Sequence, residues 1–180
     1  IVMESLVDTY NRAGVPLRAI HIGGDEVPAH AWDGSEAANR LMAEKGMKHQ
    51  RELHAWFVER VAKIAARRGV RIAGWQEIAL DHSPAYDAAV RPQVAAVNCW
   101  TSTGDYGRQI ASQGYPLILS NVDYLYFDQA HTRHPQEPGL TWGGIVDEFS
   151  PLHATVERLC PGTADVQDNV EGISAQLFAE

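Results

Sequence analysis

Two neighbouring carboxylates, Asp25 and Glu26, directly follow two glycines, Gly23 and Gly24. Glycine permits backbone bends at which another side chain would clash. Because neighbours on an ideal strand point to opposite faces, a bend here helps both acids to reach one cleft. Paired carboxylates in one cleft are residue types that general acid–base catalysis uses. The spacing therefore predicts an acid–base site; a charge pair at a helix N-terminus is the alternative interpretation.

Aromatic and acidic side chains also follow four further apolar runs that we predict to be strands. They are Trp75, Gln76 and Glu77 after the second strand, Trp100 after the third, Tyr126 and Asp128 after the fourth, and Phe178 and Glu180 after the fifth. The carboxyl ends of parallel strands are where α/β folds build active sites. Aromatic faces stack on the C–H faces of a pyranose, and carboxylates accept hydrogen bonds from its hydroxyls. The pattern favours a sugar site, although any strand must end in polar loop residues.

Short apolar runs alternate with helical patterns along the chain. The predicted strands cover residues 17–22, 70–73, 94–98, 116–120 and 172–177, and the predicted helices cover 1–13, 35–46, 53–68 and 106–113, with a short one after Pro151. Such alternation predicts βα units and a parallel α/β sheet, either doubly wound or part of a (β/α)8 TIM barrel. A complete barrel needs about 250 residues, so this chain would supply a partial barrel of about five βα units.

Composition excludes several classes of protein. The chain has 180 residues, 15 Lys and Arg against 23 Asp and Glu, and a net charge of −8. That sign argues against nucleic acid or an anionic membrane as the main partner. No run of about 18 apolar residues is present, so we expect no membrane span. The two cysteines exclude a disulfide scaffold and a four-cysteine zinc module. The chain opens within an amphipathic helix and without a signal peptide, which suggests a piece of a longer protein.

Several motifs together resemble family 20 of the glycoside hydrolases, the β-N-acetylhexosaminidases and chitobiases, over nearly the whole chain. The motifs occur in the family's order: His21-Ile22-Gly23-Gly24-Asp25-Glu26-Val27-Pro28, Gly74-Trp75-Gln76-Glu77-Ile78, Asn98-Cys99-Trp100, Leu125-Tyr126-Phe127-Asp128, Glu137-Pro138-Gly139-Leu140-Thr141-Trp142 and the run 172–180. The chain departs from the family at Gln76, where Asp is usual, and at Phe178, where Trp is usual. The resemblance implies a TIM barrel, of which residues 1–180 would form the C-terminal five-eighths of the catalytic domain.

The resemblance also implies a mechanism. Family members remove terminal β-linked N-acetylglucosamine or N-acetylgalactosamine with retention, and the substrate's own acetamido oxygen attacks the anomeric carbon to give an oxazolinium intermediate. This substrate-assisted route is an exception to the two-carboxylate scheme. By position, Glu26 is the acid and base, Asp25 orients the acetamido group and Tyr126 donates to its oxygen. No cofactor and no metal are implied.

The remaining roles carried over are those of binding residues. Trp75, Trp100 and Phe178 would wall the acetamido pocket, and Trp142 would stack on the next sugar. Asp128 and Glu180 would bind sugar hydroxyls. Outside the motifs, we expect Trp56 to be a core residue on a helix face, and His21 to be a buried, hydrogen-bonded side chain.

Two other interpretations stay open at this point. A catalytically incomplete half-barrel would only bind sugar, or would self-associate to cover its open sheet edges. A metal-dependent hydrolase on the same barrel class would use His21 and His30 with the two acids, or His131 with His134, and chelators would inhibit it. The expected partner is an N-acetylhexosamine-containing oligosaccharide. The family favours a periplasmic or secreted location, although this chain carries no signal for one.

Overall fold

The computed structural model describes residues 2–102, 105–162 and 167–178. The chain divides into two compact units, Ile1–Ala95 and Ala96–Glu180. Both units consist of short parallel strands connected through helices, as the alternating pattern predicts. No helix in the described ranges is both long and apolar enough to cross a membrane.

The first unit contains two strands and four α-helices. In chain order these are α1 (Val2–Arg12), β1 (Ala19–His21), α2 (Glu36–Lys45), α3 (Arg51–Ala66), β2 (Arg71–Trp75) and α4 (Pro84–Val90), with 3₁₀ turns at Gln76–Ile78 and Arg91–Gln93. The two strands pair in parallel, with Ile20 opposite Ile72. Ile72 is fully buried, as are Ile78 and Val90. This core supports the carboxyl ends of β1 and β2.

The ends of α2 follow directly from residue chemistry, and this helix is confirmed as predicted. The Ser35 side chain accepts a hydrogen bond from the backbone N–H of Ala38, so it caps the first turn. Gly46 ends the helix in the left-handed conformation, with φ of 68°. Glycine takes this conformation without the steric clash that a Cβ causes.

The buried face of α3 differs in part from the one that helical spacing predicts, which consists of Leu53, Trp56, Phe57, Val61, Ile64 and Ala65. Leu53, Val58, Ala62 and Ala65 are buried, whereas Phe57 is 54% exposed. Trp56, which we expected in the core, is half-buried, and the guanidinium of Arg60 lies 5.3 Å from the centre of its ring. Aromatic rings and cations attract each other at this distance. Helical spacing alone does not distinguish two adjacent apolar faces, because both repeat every three to four residues.

Helix α4 is an element that the sequence patterns left unassigned. Ser83 accepts a hydrogen bond from the N–H of Tyr86, and Pro84 occupies the first turn. A serine cap followed by proline is a strong signal for a helix start. The sequence contains this signal, but a helix of seven residues is too short to show a clear apolar periodicity.

The described part of the second unit contains three strands and three short α-helices. They are β3 (Val94–Cys99), which begins two residues before the boundary, α5 (Tyr106–Ser112), β4 (Leu117–Leu119), α6 (Val122–Leu125), α7 (Val156–Leu159) and β5 (Val170–Ile173), with 3₁₀ turns at Ser150–His153 and Gln167–Asn169. Strand β4 pairs in parallel with β3 and with β5. Its alternate residues Leu117 and Leu119 are fully buried.

Strand β5 lies earlier in the sequence than predicted. It covers Val170–Ile173 instead of 172–177, with an irregularity in its pairing beside Leu117 and Ile118. Beyond Ile173 the chain leaves the ladder, but single backbone bonds continue: Ser174 N–H donates to Leu119 O, and Gln176 N–H donates to Leu125 O. Partial pairing of this kind extends the strand pattern in sequence without forming a regular strand.

Candidate functional site

The first part of the candidate site is the turn after β1, which we call the acidic turn (Gly23–Glu26). Backbone bonds continue the pairing of the two strands up to this turn: Ile22 N–H donates to Ala73 O, and Trp75 N–H donates to Gly23 O, both at 2.9 Å. Gly23 and Gly24 have φ of 72° and 99°. The predicted bend at the glycines is therefore confirmed. Asp25 is half-buried, and Glu26 is exposed.

Glu26 itself has a positive φ of 50°. This left-handed region is uncommon for residues with a Cβ, and holding one there costs about 1–3 kcal/mol. Such a conformation persists only when the surrounding structure determines it, and it concentrates at functional sites. The carboxylate that the motifs assign as the acid and base is thus held on a strained backbone.

Two close approaches explain the glycines on either side of this turn. A Cβ on Gly24 would lie 2.5 Å from Ile78 Cγ2, and a Cβ on Gly74 would lie 2.8 Å from the Gly23 carbonyl oxygen. Both distances are shorter than real Cβ contacts allow. Trp75 follows Gly74 at the end of β2, is half-buried, and meets the ring of His21 edge-on at 5.3 Å.

His21 differs from its predicted environment. It is the last residue of β1, and it is exposed where we expected it to be buried. It is hydrogen-bonded as predicted, because its Nδ1 accepts from the N–H of Gly23 at 3.2 Å. The prediction was wrong on burial since the strand ends one residue before the apolar Ile22, which leaves His21 at the strand's end.

The second part of the candidate site is an aromatic cluster (Trp100, Tyr126, Trp142 and Phe178). Tyr126 lies at its centre and is 4% exposed; its ring centre is 5.4 Å from that of Phe178 and 6.1 Å from that of Trp142. Trp100 meets Trp142 edge-on at 6.0 Å. Such edge-on and tilted pairs are the geometries that aromatic rings prefer. Four of the predicted site residues are therefore brought together within this unit.

Backbone pairing places Tyr126 beside the segment that carries Phe178. Phe127 N–H donates to Gln176 O, and Gln176 N–H donates to Leu125 O, both at 2.8 Å. Trp142 and Phe178 are 57% and 45% exposed, so both retain free ring faces. The cluster combines one buried phenol with open aromatic surface, which suits the recognition of a sugar ring.

Asp128 lines a cavity next to the aromatic cluster. The cavity measures about 490 Å³, and its walls include Phe178, His131, Glu137 and Leu140. Oδ2 of Asp128 accepts a hydrogen bond from Gln129 Nε2 at 3.2 Å, while Oδ1 is buried and has no hydrogen-bond partner among the described residues. An acceptor left in this state favours a ligand with a hydroxyl donor. Glu180, the other predicted hydroxyl-binding residue, lies outside the described residues.

Sequence reasoning missed a polar network at the strand ends of the second unit. The Asn98 amide donates to the hydroxyls of Ser120 and Ser174 at 3.0 and 3.2 Å, and the two hydroxyls lie 2.8 Å apart. Gln176 Nε2 also donates to Ser174. Asn98 and Ser120 are buried, so this network fixes the ends of β3 and β4 from inside. A single polar residue at the end of an apolar run was the available signal.

Neither histidine set that was considered for a metal gathers a full ligand shell. Within the described ranges, no three His, Cys, Asp or Glu side chains come together as a cation site. His30 pairs instead with Asp33 at 2.9 Å on the surface. His131 and His134 lie on the loop beside the cavities near Asp128 and Glu137.

Comparisons with known proteins agree with the order of the motifs. The sequence profile described as "Glycosyl hydrolase family 20, catalytic domain" matches residues 2–180. Beta-hexosaminidase B of Pseudoalteromonas piscicida is 30% identical over 168 residues, which cover 93% of this chain and 21% of that relative.

Solved structures show the same fold. An exo β-N-acetylglucosaminidase of Vibrio harveyi, determined in complex with N-acetylglucosamine, superposes with a TM-score of 0.77 at 23% identity over 98% of this chain and 27% of its own. The N-acetyl-β-hexosaminidase of Streptomyces plicatus, in complex with Thio-NAglucal, gives 0.65 at 26% identity over 98% and 31%. These neighbours have TIM-barrel catalytic domains, so the predicted partial (β/α)8 barrel is confirmed.

The chain spans about a fifth to a third of the length of these relatives. The profile match nevertheless covers nearly all of it, including the acidic turn and the aromatic cluster. The chain belongs to glycosyl hydrolase family 20.

Proposed function

We propose that the protein is a retaining exo-β-N-acetylhexosaminidase, which removes terminal β-linked N-acetylglucosamine or N-acetylgalactosamine from oligosaccharides. The observation that carries this proposal is the acidic turn, where Glu26 has a φ of 50° directly after Asp25. Family membership and the relatives' names support the same activity. Residues 1–180 are proposed to form the C-terminal part of the catalytic barrel.

In the first step, the acetamido oxygen of the substrate attacks the anomeric carbon, and the glycosidic bond breaks. Glu26 gives its proton to the leaving oxygen, and an oxazolinium ion forms. Asp25 accepts the N–H of the acetamido group, which orients it and stabilises the positive charge that develops. Tyr126 donates its hydroxyl to the acetamido oxygen. Holding an internal nucleophile in attacking geometry lowers the barrier of such a step, because the loss of orientational freedom has already occurred on binding.

In the second step, water adds to the same carbon and opens the oxazolinium ring. Glu26, now a carboxylate, takes one proton from that water, so it returns to its starting state. Two displacements at one carbon leave the β configuration unchanged. No nucleophile from the enzyme is needed, and no cofactor enters the scheme.

The proposed binding roles are those that the family's motifs imply for these positions. Trp75, Trp100 and Phe178 are proposed to wall the acetamido group, and the exposed Trp142 to stack on the next sugar. Oδ1 of Asp128, which has no hydrogen-bond partner among the residues that the structure describes, is proposed to accept from a sugar hydroxyl, and Glu180 to bind a second hydroxyl. Phe178 keeps an apolar wall at a position where tryptophan is usual in the family.

The test of substrate assistance compares aryl N-acetyl-β-glucosaminides that differ only in the acyl group. Replacing acetyl by fluoroacetyl, difluoroacetyl and trifluoroacetyl withdraws electrons from the attacking oxygen while the leaving group stays the same. We expect kcat/KM to fall at each step of the series, by orders of magnitude overall. A rate independent of fluorination, or equal hydrolysis of the aryl β-glucoside without the acyl group, would contradict the proposal.

A further inference from the structure

Three aromatic rings stack behind the acidic turn, and no proposed catalytic step uses them. We call them the ring stack (His54, His82 and Tyr86). His54 lies in the first turn of α3, Tyr86 lies in α4, and His82 precedes α4. The ring centres of His82 and Tyr86 are 3.9 Å apart with planes 25° apart, and those of His54 and His82 are 6.2 Å apart with planes 22° apart.

The ring stack binds the 3₁₀ turn Gln76–Ile78 through two carbonyl groups. His82 Nε2 lies 3.0 Å from Glu77 O, and the Tyr86 hydroxyl donates to Ile78 O at 2.8 Å. A carbonyl oxygen only accepts, so Nε2 of His82 must carry the hydrogen. The neutral ring therefore has its other nitrogen, Nδ1, unprotonated. The imidazole and the phenol together hold the carbonyl groups of two successive peptide units, one on each side of Ile78.

The turn held in this way carries the side chain that touches the acidic turn. Ile78 is fully buried, and its Cγ2 lies 2.5 Å from the position of a Cβ at Gly24. His54 Nε2 lies 3.7 Å from the same position. Ile78, which the ring stack fixes in place, thus contacts Gly24. His54, the first ring of the stack, also faces Gly24. Glu26, with its positive φ, follows two residues later.

We propose that His54 and His82 are positioning residues for the acidic turn, which they hold through Ile78 and Gly24 so that Glu26 keeps its strained backbone. The inference rests on the proposed function for its catalytic consequence, whereas its structural part concerns only the first unit. A strained residue needs surroundings that determine its conformation. Packed rings and hydrogen-bonded carbonyls, acting through the buried Ile78, provide such surroundings here.

Protonation connects this arrangement to pH. Burial lowers the pKa of His54 below its ordinary value of 6.5, although the carbonyl of Gly24 acts in the opposite sense. Burial also lowers the pKa of His82, with the carbonyl of Glu77 raising it and the ring of His54 lowering it. The fold therefore favours both neutral rings. A second proton in this stack would place two cations side by side.

Charged groups of both neighbouring helices face the ring stack. Arg51 of α3 lowers the pKa of His82, and Asp87 of α4 raises it. Burial raises the pKa of the Tyr86 phenol, and so do Asp87 of α4 and Glu59 of α3. The phenol therefore stays neutral at the pH values at which histidines titrate. Arg51 also donates to the backbone carbonyl of Asp81. Of these groups, the two imidazoles are the ones whose ordinary pKa lies nearest to neutral pH.

The sign of the effect follows from proton uptake. The unfolded chain protonates these histidines as pH falls below about 6.5, while the folded imidazoles resist. The free energy of unfolding therefore decreases as pH drops from about 6.5 toward the folded pKa values, and it is unaffected by these groups above that range. The order of the acidic turn, and the activity that depends on it, should weaken at the lower end of this interval, where the folded imidazoles themselves take up protons.

The experiment has an activity arm and a spectroscopic arm, with His82→Phe as the first variant. Phenylalanine keeps a ring in the stack but loses the bond to Glu77 and the titration. We expect kcat to fall about tenfold at pH 7 with a smaller change in KM, because misplaced catalytic groups lose rate. We also expect the acid limb of kcat/KM to move to lower pH. His54→Gln should show the same shift, and the exposed His30→Gln should show none.

The spectroscopic arm separates this inference from the proposed function. Backbone amide signals of Gly24 and Glu26 are followed by NMR from pH 8 to 5, together with the imidazole signals. We expect both amides to shift with the titration of His54 or His82, and to stop shifting in His82→Phe, even if the protein hydrolyses no hexosaminide. Amides that ignore those titrations would overturn the inference. So would variants with a lower melting temperature and an unchanged pH profile.

Discussion

The acidic turn and the aromatic cluster obtain their geometry in different ways. The turn is held by backbone: positive φ at Gly23, Gly24 and Glu26, and hydrogen bonds that tie it to β2. In the cluster, backbone bonds place Tyr126 beside the segment of Phe178, and side-chain contacts complete the arrangement, because the buried tyrosine packs against rings that remain partly exposed. A constrained backbone positions a single catalytic group accurately, whereas packed rings provide contact area for a ligand.

This difference teaches where chemistry and binding should separate. A proton donor must lie within hydrogen-bond reach of the leaving oxygen, so small displacements of Glu26 should reduce kcat. Aromatic walls act through contact area, so changes to Phe178 or Trp142 should mainly alter KM. Tyr126 lies in the aromatic cluster but also carries a hydrogen-bond donor. It therefore combines a contact with the binding surface and a contribution to kcat.

We consider the variants Tyr126→Phe, Gly24→Ala and Phe178→Trp. The largest effect on activity is expected for Tyr126→Phe. The ring and its packing stay, but the donor to the acetamido oxygen is lost. Removing one donor that stabilises developing charge costs roughly a hundredfold in kcat. Hydrolysis of an aryl N-acetyl-β-glucosaminide measures this, with Tyr124→Phe as the control. If only KM rises, Tyr126 acts in binding alone, and the whole aromatic cluster is then a binding surface without a catalytic group.

An intermediate effect is expected for Gly24→Ala. The new Cβ would meet Ile78 Cγ2 at 2.5 Å with φ at 99°. Overpacking and backbone strain together should lower the free energy of unfolding by about 2–4 kcal/mol. Urea unfolding measures the loss, and activity should fall with it as the acidic turn moves.

Gly14→Ala is the matched control for that substitution. Gly14 has a positive φ of 72°, but nothing lies within 4 Å of a Cβ there. Backbone strain alone should cost about 1 kcal/mol, with no change in kcat. Equal losses at Gly14 and Gly24 would show that the contact with Ile78 does not constrain the acidic turn.

The smallest effect is expected for Phe178→Trp. The larger ring adds contact area next to Tyr126, and aromatic contacts of this kind are worth about 0.5–1.5 kcal/mol. We therefore expect a KM about threefold lower with kcat nearly unchanged. Phe149→Trp, at another exposed phenylalanine, is the control. A kcat that changes more than KM would break the proposed separation between turn and cluster.

The acidic turn was predictable because its signal is local. Adjacent glycines before adjacent acids specify both the bend and the charge, and neither depends on distant residues. The aromatic cluster was predictable only as a set of strand ends, since ring contacts depend on packing between segments far apart in sequence. Tyr126 and Trp142 are sixteen residues apart, with loop between them, and no periodicity relates them.

The ring stack lay beyond sequence reasoning for a physical reason. His54 lies on a helix and His82 follows a 3₁₀ turn, and they meet only because α3 and α4 pack together. A histidine on a helix gives no sign of what faces it. The buried face of α3 was predicted wrongly for the same reason. Two adjacent apolar faces of a helix show the same periodicity, so the packing partner decides which of them is buried.

The most direct test of the central claim is aryl release from an aryl N-acetyl-β-glucosaminide by the protein and by Glu26→Gln. Glutamine keeps the shape of the side chain but carries no transferable proton. We expect the variant to lose at least about a hundredfold in turnover while binding N-acetylglucosamine with unchanged affinity, and Glu44→Gln on α2 to behave like the unmodified protein. Near-normal turnover by Glu26→Gln would contradict the assignment of the acidic turn as the catalytic centre.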